Sequence, residues 1–153
     1  MSREDENIGP LTGVRVLDLT INVLGPVATQ ILGDLGAEVI KVETPSGDPM
    51  RLIGSSKTGM LGPFFQTTNR NKKSVVLDLK KIEEKNALLK IAGGCDVFVH
   101  NMRQAATERL GIDYKNLRKA APKIIYASAT GYRRNSPKDG RPAYDDVIQG
   151  ESG

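Results

Sequence analysis

The chain has 153 residues, with 22 Lys and Arg against 18 Asp and Glu, a formal net charge of +4 and 39% hydrophobic residues. That balance fits one globular domain, large enough to hold a core without covalent staples. One cysteine, Cys95, excludes an internal disulfide and a cysteine-rich zinc module, and one histidine, His100, leaves no partners for a histidine metal site or a Ser-His-Asp triad. The weak positive charge permits an anionic ligand without demanding nucleic acid, and 5% aromatics leave few stacking platforms for single strands. No apolar run approaches the roughly 20 residues of a membrane span. The polar start, Met1 to Asn7, is unlike a signal peptide, so the expected compartment is the cytoplasm.

After a polar leader over residues 1–10, the run from Val14 to Leu19 reads as a buried strand. Gly25-Pro26 opens a helix, since proline is tolerated in a first turn where its missing N–H has no partner to lose. Val27, Ile31, Leu32 and Leu35 recur at helical spacing and are expected to form its inward stripe, with Gly36 as the C-cap. Ala37 to Val42 reads as the next strand. Residues 43–62, rich in Pro and Gly, read as a long loop.

Ser74 to Leu79 reads as a third strand, and Ile82 to Ala92 as a helix with Leu88, Ile91 and Ala92 on one face. Cys95 to Val99 reads as a fourth strand. Two short helices, Ala105–Leu110 and Tyr114–Ala120, follow, with Leu110, Tyr114 and Leu117 expected to face inward. Lys123 to Ser128 reads as a fifth strand. Beyond Gly131 the chain is polar, and apolar residues return only at Val147 and Ile148. The alternation of strands and helices predicts an α/β fold with a mostly parallel sheet and flanking helices.

In such sheets ligands sit at the carboxyl ends of the strands. Glu43 ends the second strand as the ribose-binding acid of a dinucleotide site would. The Gly-x-Gly-x-x-Gly turn is absent, however, and only Gly25 stands between the first strand and its helix. A nicotinamide dinucleotide site is therefore disfavoured, and no Walker-type phosphate loop is present. Taken singly, the remaining residues have ordinary roles. Asn69 to Lys73 reads as a solvated turn, His100 as a surface or hydrogen-bonded residue, and Cys95 as a small buried one. Arg133-Arg134 reads as an exposed turn, and Asp18 as a local cap or pair.

In order, these segments resemble a known family. Leu11 to Thr20, Gly25-Pro26, Leu35 to Glu43 with Gly47-Asp48, and Asn69 to Lys80 are similar to class III CoA-transferases, the CaiB/BaiF or formyl-CoA transferase-like family. So are Cys95 to Asn101 with Glu108 to Gly111, Ile124 to Tyr132, and Arg141 to Asp145. The resemblance runs from Leu11 to Gly153. It implies a Rossmann-like sheet, forming the N-terminal part of the family's large domain. It also implies a reaction that moves CoA between carboxylic acids. An aspartate attacks the acyl-CoA, a mixed anhydride forms, and CoA leaves as a thiolate. Some relatives instead racemise or isomerise acyl-CoA esters. A stand-alone CoA-binding module is a further alternative.

By matched position, the resemblance assigns Asn22 and Val23 to the thioester end of CoA, and Leu77 and Lys80 to the nucleotide. It assigns Asn101, Met102, Ala106, Arg109 and Leu110 to the adenine and phosphates, and Tyr144 and Asp145 to the acyl site. The chain departs from the family pattern in having Thr44, His100, Gln104-Ala105 and the Arg133-Arg134-Asn135-Ser136 turn. The implied substrates are acyl-CoA and a small carboxylic acid, with no metal and no covalently bound cofactor. The implied partner is a second copy, in an interlocked homodimer, with no nucleic acid or membrane. The family's nucleophilic aspartate is expected beyond Gly153, and neither Asp145 nor Asp146 takes its place. The closing run Gln149 to Gly153 reads as a domain cut short, so the expectation is an inactive fragment of the parent enzyme.

Overall fold

The computed structural model describes residues 9–57, 59 and 61–153, so most of the polar leader lies outside the described residues. Five strands form the sheet: β1 (Arg15–Leu19), β2 (Glu38–Glu43), β3 (Lys72–Val76), β4 (Val97–His100) and β5 (Ile125–Ser128). All neighbouring pairs are parallel, in the order β3-β2-β1-β4-β5. Between them run helices α1 (Leu24–Asp34), α2 (Pro63–Thr68), α3 (Ile82–Ala92), α4 (Gln104–Leu110) and α5 (Tyr114–Ala120), and α6 (Asp145–Ser152) follows. The expected α/β architecture is the one observed. The chain builds outward from β1 to β2 and β3, then returns to the other side of β1 as β4. The strand order therefore reverses between β1 and β4, the place where open α/β sheets bind ligands.

The central strand is covered on both faces. Leu17 and Leu19 join Phe98, Leu88, Ala92, Ile112 and Leu117 in the larger cluster, under α3 and α5. Val16 joins Val39, Val99 and Ala37 on the other face, with Leu32 of α1 packed against them. Each fully buried aliphatic side chain contributes on the order of 2 kcal/mol. α3 buries Leu88 and Ala92 and packs Ile91 against the core, as its spacing predicts.

Several expectations need correction. The inward face of α1 consists of Gly25, Pro26, Thr29, Gln30 and Gly33. Of the expected inward stripe only Leu32 packs against the core. Ile31 is 51% exposed and Leu24 71%, with Val27 and Leu35 also turned outward. Small residues face inward because the helix lies close to the sheet: a Cβ on Gly25 would stand 2.4 Å from the Cβ of Thr20.

Tyr114 is exposed at 46% rather than inward, its ring lying edge-on to Tyr126. β3 begins two residues before the predicted start, because Lys72 and Lys73 pair in the ladder with Val39 and Ile40. The long loop contains a short 3-10 turn, Pro49–Leu52, capped by Asp48, which accepts from the Met50 N–H. α2 and α6 were not foreseen. Both are short, and α6 has no buried residue to give it an apolar stripe. Among the described residues, no helix is long and apolar enough to cross a membrane.

Candidate functional site

The carboxyl end of the sheet carries a buried polar network on its α1 face. Asp18 ends as one of the best-connected side chains in the molecule. Its Oδ1 accepts from the Thr20 N–H and hydroxyl at 2.9 and 2.6 Å. Its Oδ2 accepts from Thr29 Oγ1 at 2.6 Å and from Lys72 Nζ at 3.1 Å, the last from 54 residues away. Lys72, expected in a solvated turn, has a side chain only 2% exposed and also donates to Pro26 O and Asn69 Oδ1. Burial pulls its pKa down, partly offset by Asp18. The rest of the run follows the surface reading: Arg70 and Asn71 hold Asp34, and Lys73 pairs with Glu38.

Lys41, on the adjacent strand, is 1% exposed and donates to Thr20 O at 2.8 Å and to Asp48 Oδ2 at 3.0 Å. Glu43 accepts a two-pronged guanidinium bond from Arg51, both contacts at 2.7 Å, and further bonds from Ser74 Oγ and Asp48 N. Burial pushes the Glu43 carboxyl up, but these donors outweigh it and hold the pKa at about 2. Arg51 stacks 3.7 Å over the Phe65 ring. Every lone pair a ribose could use on Glu43 is already engaged, which removes the dinucleotide reading on structural as well as sequence grounds.

This network supports the loop Thr20–Val23 that leaves β1. Asn22 takes the left-handed conformation, φ +68°, which asparagine tolerates better than most residues. The loop that leaves β4 meets it directly: Asn101 accepts from Ile21 N at 3.0 Å and donates to Ile21 O at 2.8 Å. The loops that carry Asn22, Val23, Asn101 and Met102 therefore meet at the strand-order reversal.

On the opposite face of the sheet, His100 is buried at 2% exposure beside Phe98 and Tyr126. Its Nδ1 accepts from the Met102 N–H at 3.2 Å, and its Nε2 has no partner among the described residues. Burial drives its pKa down to about 4, so it is neutral at physiological pH. Of the two readings from sequence, the hydrogen-bonded one holds and the surface one does not. The hydrogen bond to Met102 shapes the turn into α4.

The other residues assigned from sequence differ in setting. Met102 and Leu110 pack against the larger core cluster with Ala106 half-buried nearby in chain, while Arg109 is exposed on the last turn of α4. Leu77 is a core side chain, so only its backbone can face a ligand. Lys80 is exposed, and its N–H donates to Asp78. Tyr144 and Asp145 are exposed at the start of α6, where Asp145 accepts from Gln149. α6 is tied back by Glu151, which accepts from Tyr132 and Lys138. No hydrogen bond or ion pair among the described residues joins Tyr144 or Asp145 to Asn22 or Arg109. Sequence reasoning missed the burial and ion pairs of Lys41 and Lys72, because neither periodicity nor spacing reveals a pair to a distant segment.

A five-stranded parallel sheet whose order reverses between β1 and β4 defines an α/β protein of the open, doubly wound kind, in which ligands bind at the carboxyl edge. The family model for CoA-transferase family III matches residues 11–153, and the chain belongs to that family. It is 43% identical over 148 residues to succinyl-CoA:glutarate CoA-transferase of Homo sapiens, covering 96% of this chain and 34% of that protein. It is 45% identical over 146 residues to a probable fatty acyl-CoA transferase of Mycobacterium tuberculosis, covering 94% of this chain and 37% of that one. A crystal structure of a CaiB/BaiF family protein from Brucella suis superposes with a TM-score of 0.89 at 35% identity, over 95% of this chain and 39% of that chain. The chain thus spans little more than a third of the length of these relatives.

Proposed function

We propose that residues 11–153 form the N-terminal, CoA-binding portion of a cytoplasmic enzyme that moves CoA between two carboxylic acids. The observation that carries this reading is the meeting of the two loops, Thr20–Val23 and Asn101–Arg103, in a chain of this family. In this reading Asn22 and Val23 face the thioester end of acyl-CoA. The segment of Asn101, Met102, Ala106, Arg109 and Leu110 receives the nucleotide, with Leu77 contributing its backbone. Lys80 and Arg109, both exposed cations, take phosphate oxygens. Tyr144 and Asp145 border the acyl group.

The transfer proceeds by attack of a carboxylate on the thioester carbonyl, with CoA leaving as the thiolate and a mixed anhydride left behind. The carboxylates tied to the loop directly or through Lys41, Asp18 and Asp48, are buried and bonded to Lys72 and Lys41, and neither suits a nucleophile. The reading assigns that role to no residue of this chain. The working enzyme is a homodimer, and residues 1–153 alone do not turn over.

Calorimetric titration of CoA into the chain tests the binding claim. Saturable binding at or below about millimolar CoA is expected, weakened about tenfold by Arg109→Ala, the loss of one charge-assisted phosphate contact. No binding at millimolar CoA would sink it.

A further inference from the structure

The Thr20–Val23 loop is held from two sides by side chains that bond its backbone. From below, Asp18 Oδ1 accepts from Thr20 N, and Lys41 Nζ donates to Thr20 O. From the side, the Asn101 carboxamide satisfies both peptide groups of Ile21, accepting from its N–H at 3.0 Å and donating to its carbonyl at 2.8 Å. All four backbone polar groups of Thr20 and Ile21 are thereby engaged. Val23 O then accepts from Val27 N and begins α1. Between these fixed points stands Asn22, partly exposed and at φ +68°. Neither its peptide groups nor its carboxamide finds a partner among the described residues.

We propose that the Asn101 side chain is a positioning group: it staples the loop after β4 to the loop after β1 and presets Asn22 for the ligand, leaving the nucleotide contact assigned to Asn101 to its backbone. One N–H and one lone pair of the carboxamide are spent on Ile21, and this two-point contact fixes the side chain against the β1 loop. The staple crosses the strand-order reversal, where the two loops otherwise share no backbone bond among the described residues. Its floor is rigid, because Asp18 and Lys41 are each anchored by a buried ion pair. Pre-setting the loop removes an ordering cost from binding. The inference rests on reading this loop as part of the CoA site and adds the residue that sets its shape.

Two measurements test it. Amide hydrogen exchange in the ligand-free Asn101→Ala chain should speed Ile21 about tenfold or more and leave Leu17 and Leu19 of β1 unchanged. Unchanged exchange at Ile21, or equal acceleration throughout β1, would overturn the staple. A double-mutant cycle on CoA affinity then separates positioning from direct contact. Asn22→Gly keeps the positive φ and removes the carboxamide. Asn101→Ala and Asn22→Gly are each expected to weaken CoA about tenfold, and the double variant little more than either alone. Losses that multiply to about a hundredfold would mean that the Asn101 side chain contacts CoA independently, which also overturns the proposal. Failure of the unmodified chain to bind CoA would refute the proposed function instead, and the exchange result would still decide the staple.

Discussion

Lys72→Met is the most informative single change to the buried network. The methionine keeps the length and apolar stem of the lysine and deletes the ammonium. Asp18 then stays buried as a carboxylate with its cation gone, and Pro26 O and Asn69 Oδ1 lose a donor. Breaking a buried ion pair from one side costs about 3–5 kcal/mol. The low end applies, because Asp18 retains the Thr20 N–H, the Thr20 hydroxyl and the Thr29 hydroxyl. A loss of about 3 kcal/mol corresponds to a fall in Tm of about 6–12 °C for a chain of this size. Urea and thermal melts followed by circular dichroism read it directly. Adding Asp18→Asn to Lys72→Met should recover about 1 kcal/mol by removing the stranded charge. A solvated-turn lysine would instead change stability by less than about 0.5 kcal/mol. That outcome, or no recovery in the double variant, would refute the reasoning.

Acid should destabilise the fold in two steps. His100 titrates lower in the fold, about 4, than its ordinary value of 6.5, so its share of stability is complete above pH 6.5 and drains away as pH falls toward 4. Glu43 is held at about 2 against 4.5, and its share is lost between those values on further acidification. Each step is worth on the order of 3 kcal/mol. His100→Phe should flatten the upper step in urea melts across pH and leave the lower one; an unchanged upper step contradicts the assignment. On α1, Ile31→Ser should cost less than about 0.5 kcal/mol in the isolated chain. Gly25→Ala should cost about 2 kcal/mol or more, because its Cβ would collide with Thr20. Reversal of that order in melting experiments would restore the inward-stripe reading.

The contrast along α1 shows what the sequence could and could not convey. Strands β1, β2 and β4 and helix α3 were legible because their apolar residues face apolar neighbours. α1 was placed correctly and its face read almost backwards. Apolar periodicity identifies the core face only when the surface beneath is apolar. Here the surface beneath includes Asp18, Thr20 and Lys72, and small residues let the helix approach. β3 was read two residues late for a related reason. Its first residues are lysines, and nothing local announces that Lys72 reaches an aspartate 54 positions earlier. The family and the loops of the candidate site were visible as motifs. The bonds that join those loops became visible only in three dimensions, since Asn101 and Ile21 are 80 residues apart.

The central claim is that the two loops meeting after β1 and β4 receive CoA. A CoA titration of the isotopically labelled chain, followed amide by amide in solution, tests it most directly. Saturable shifts should centre on Asn22, Val23, Asn101, Met102 and the α4 turn carrying Arg109, and spare the outward face of α1. No saturable shift at millimolar CoA, or shifts centred on another surface, would contradict the account.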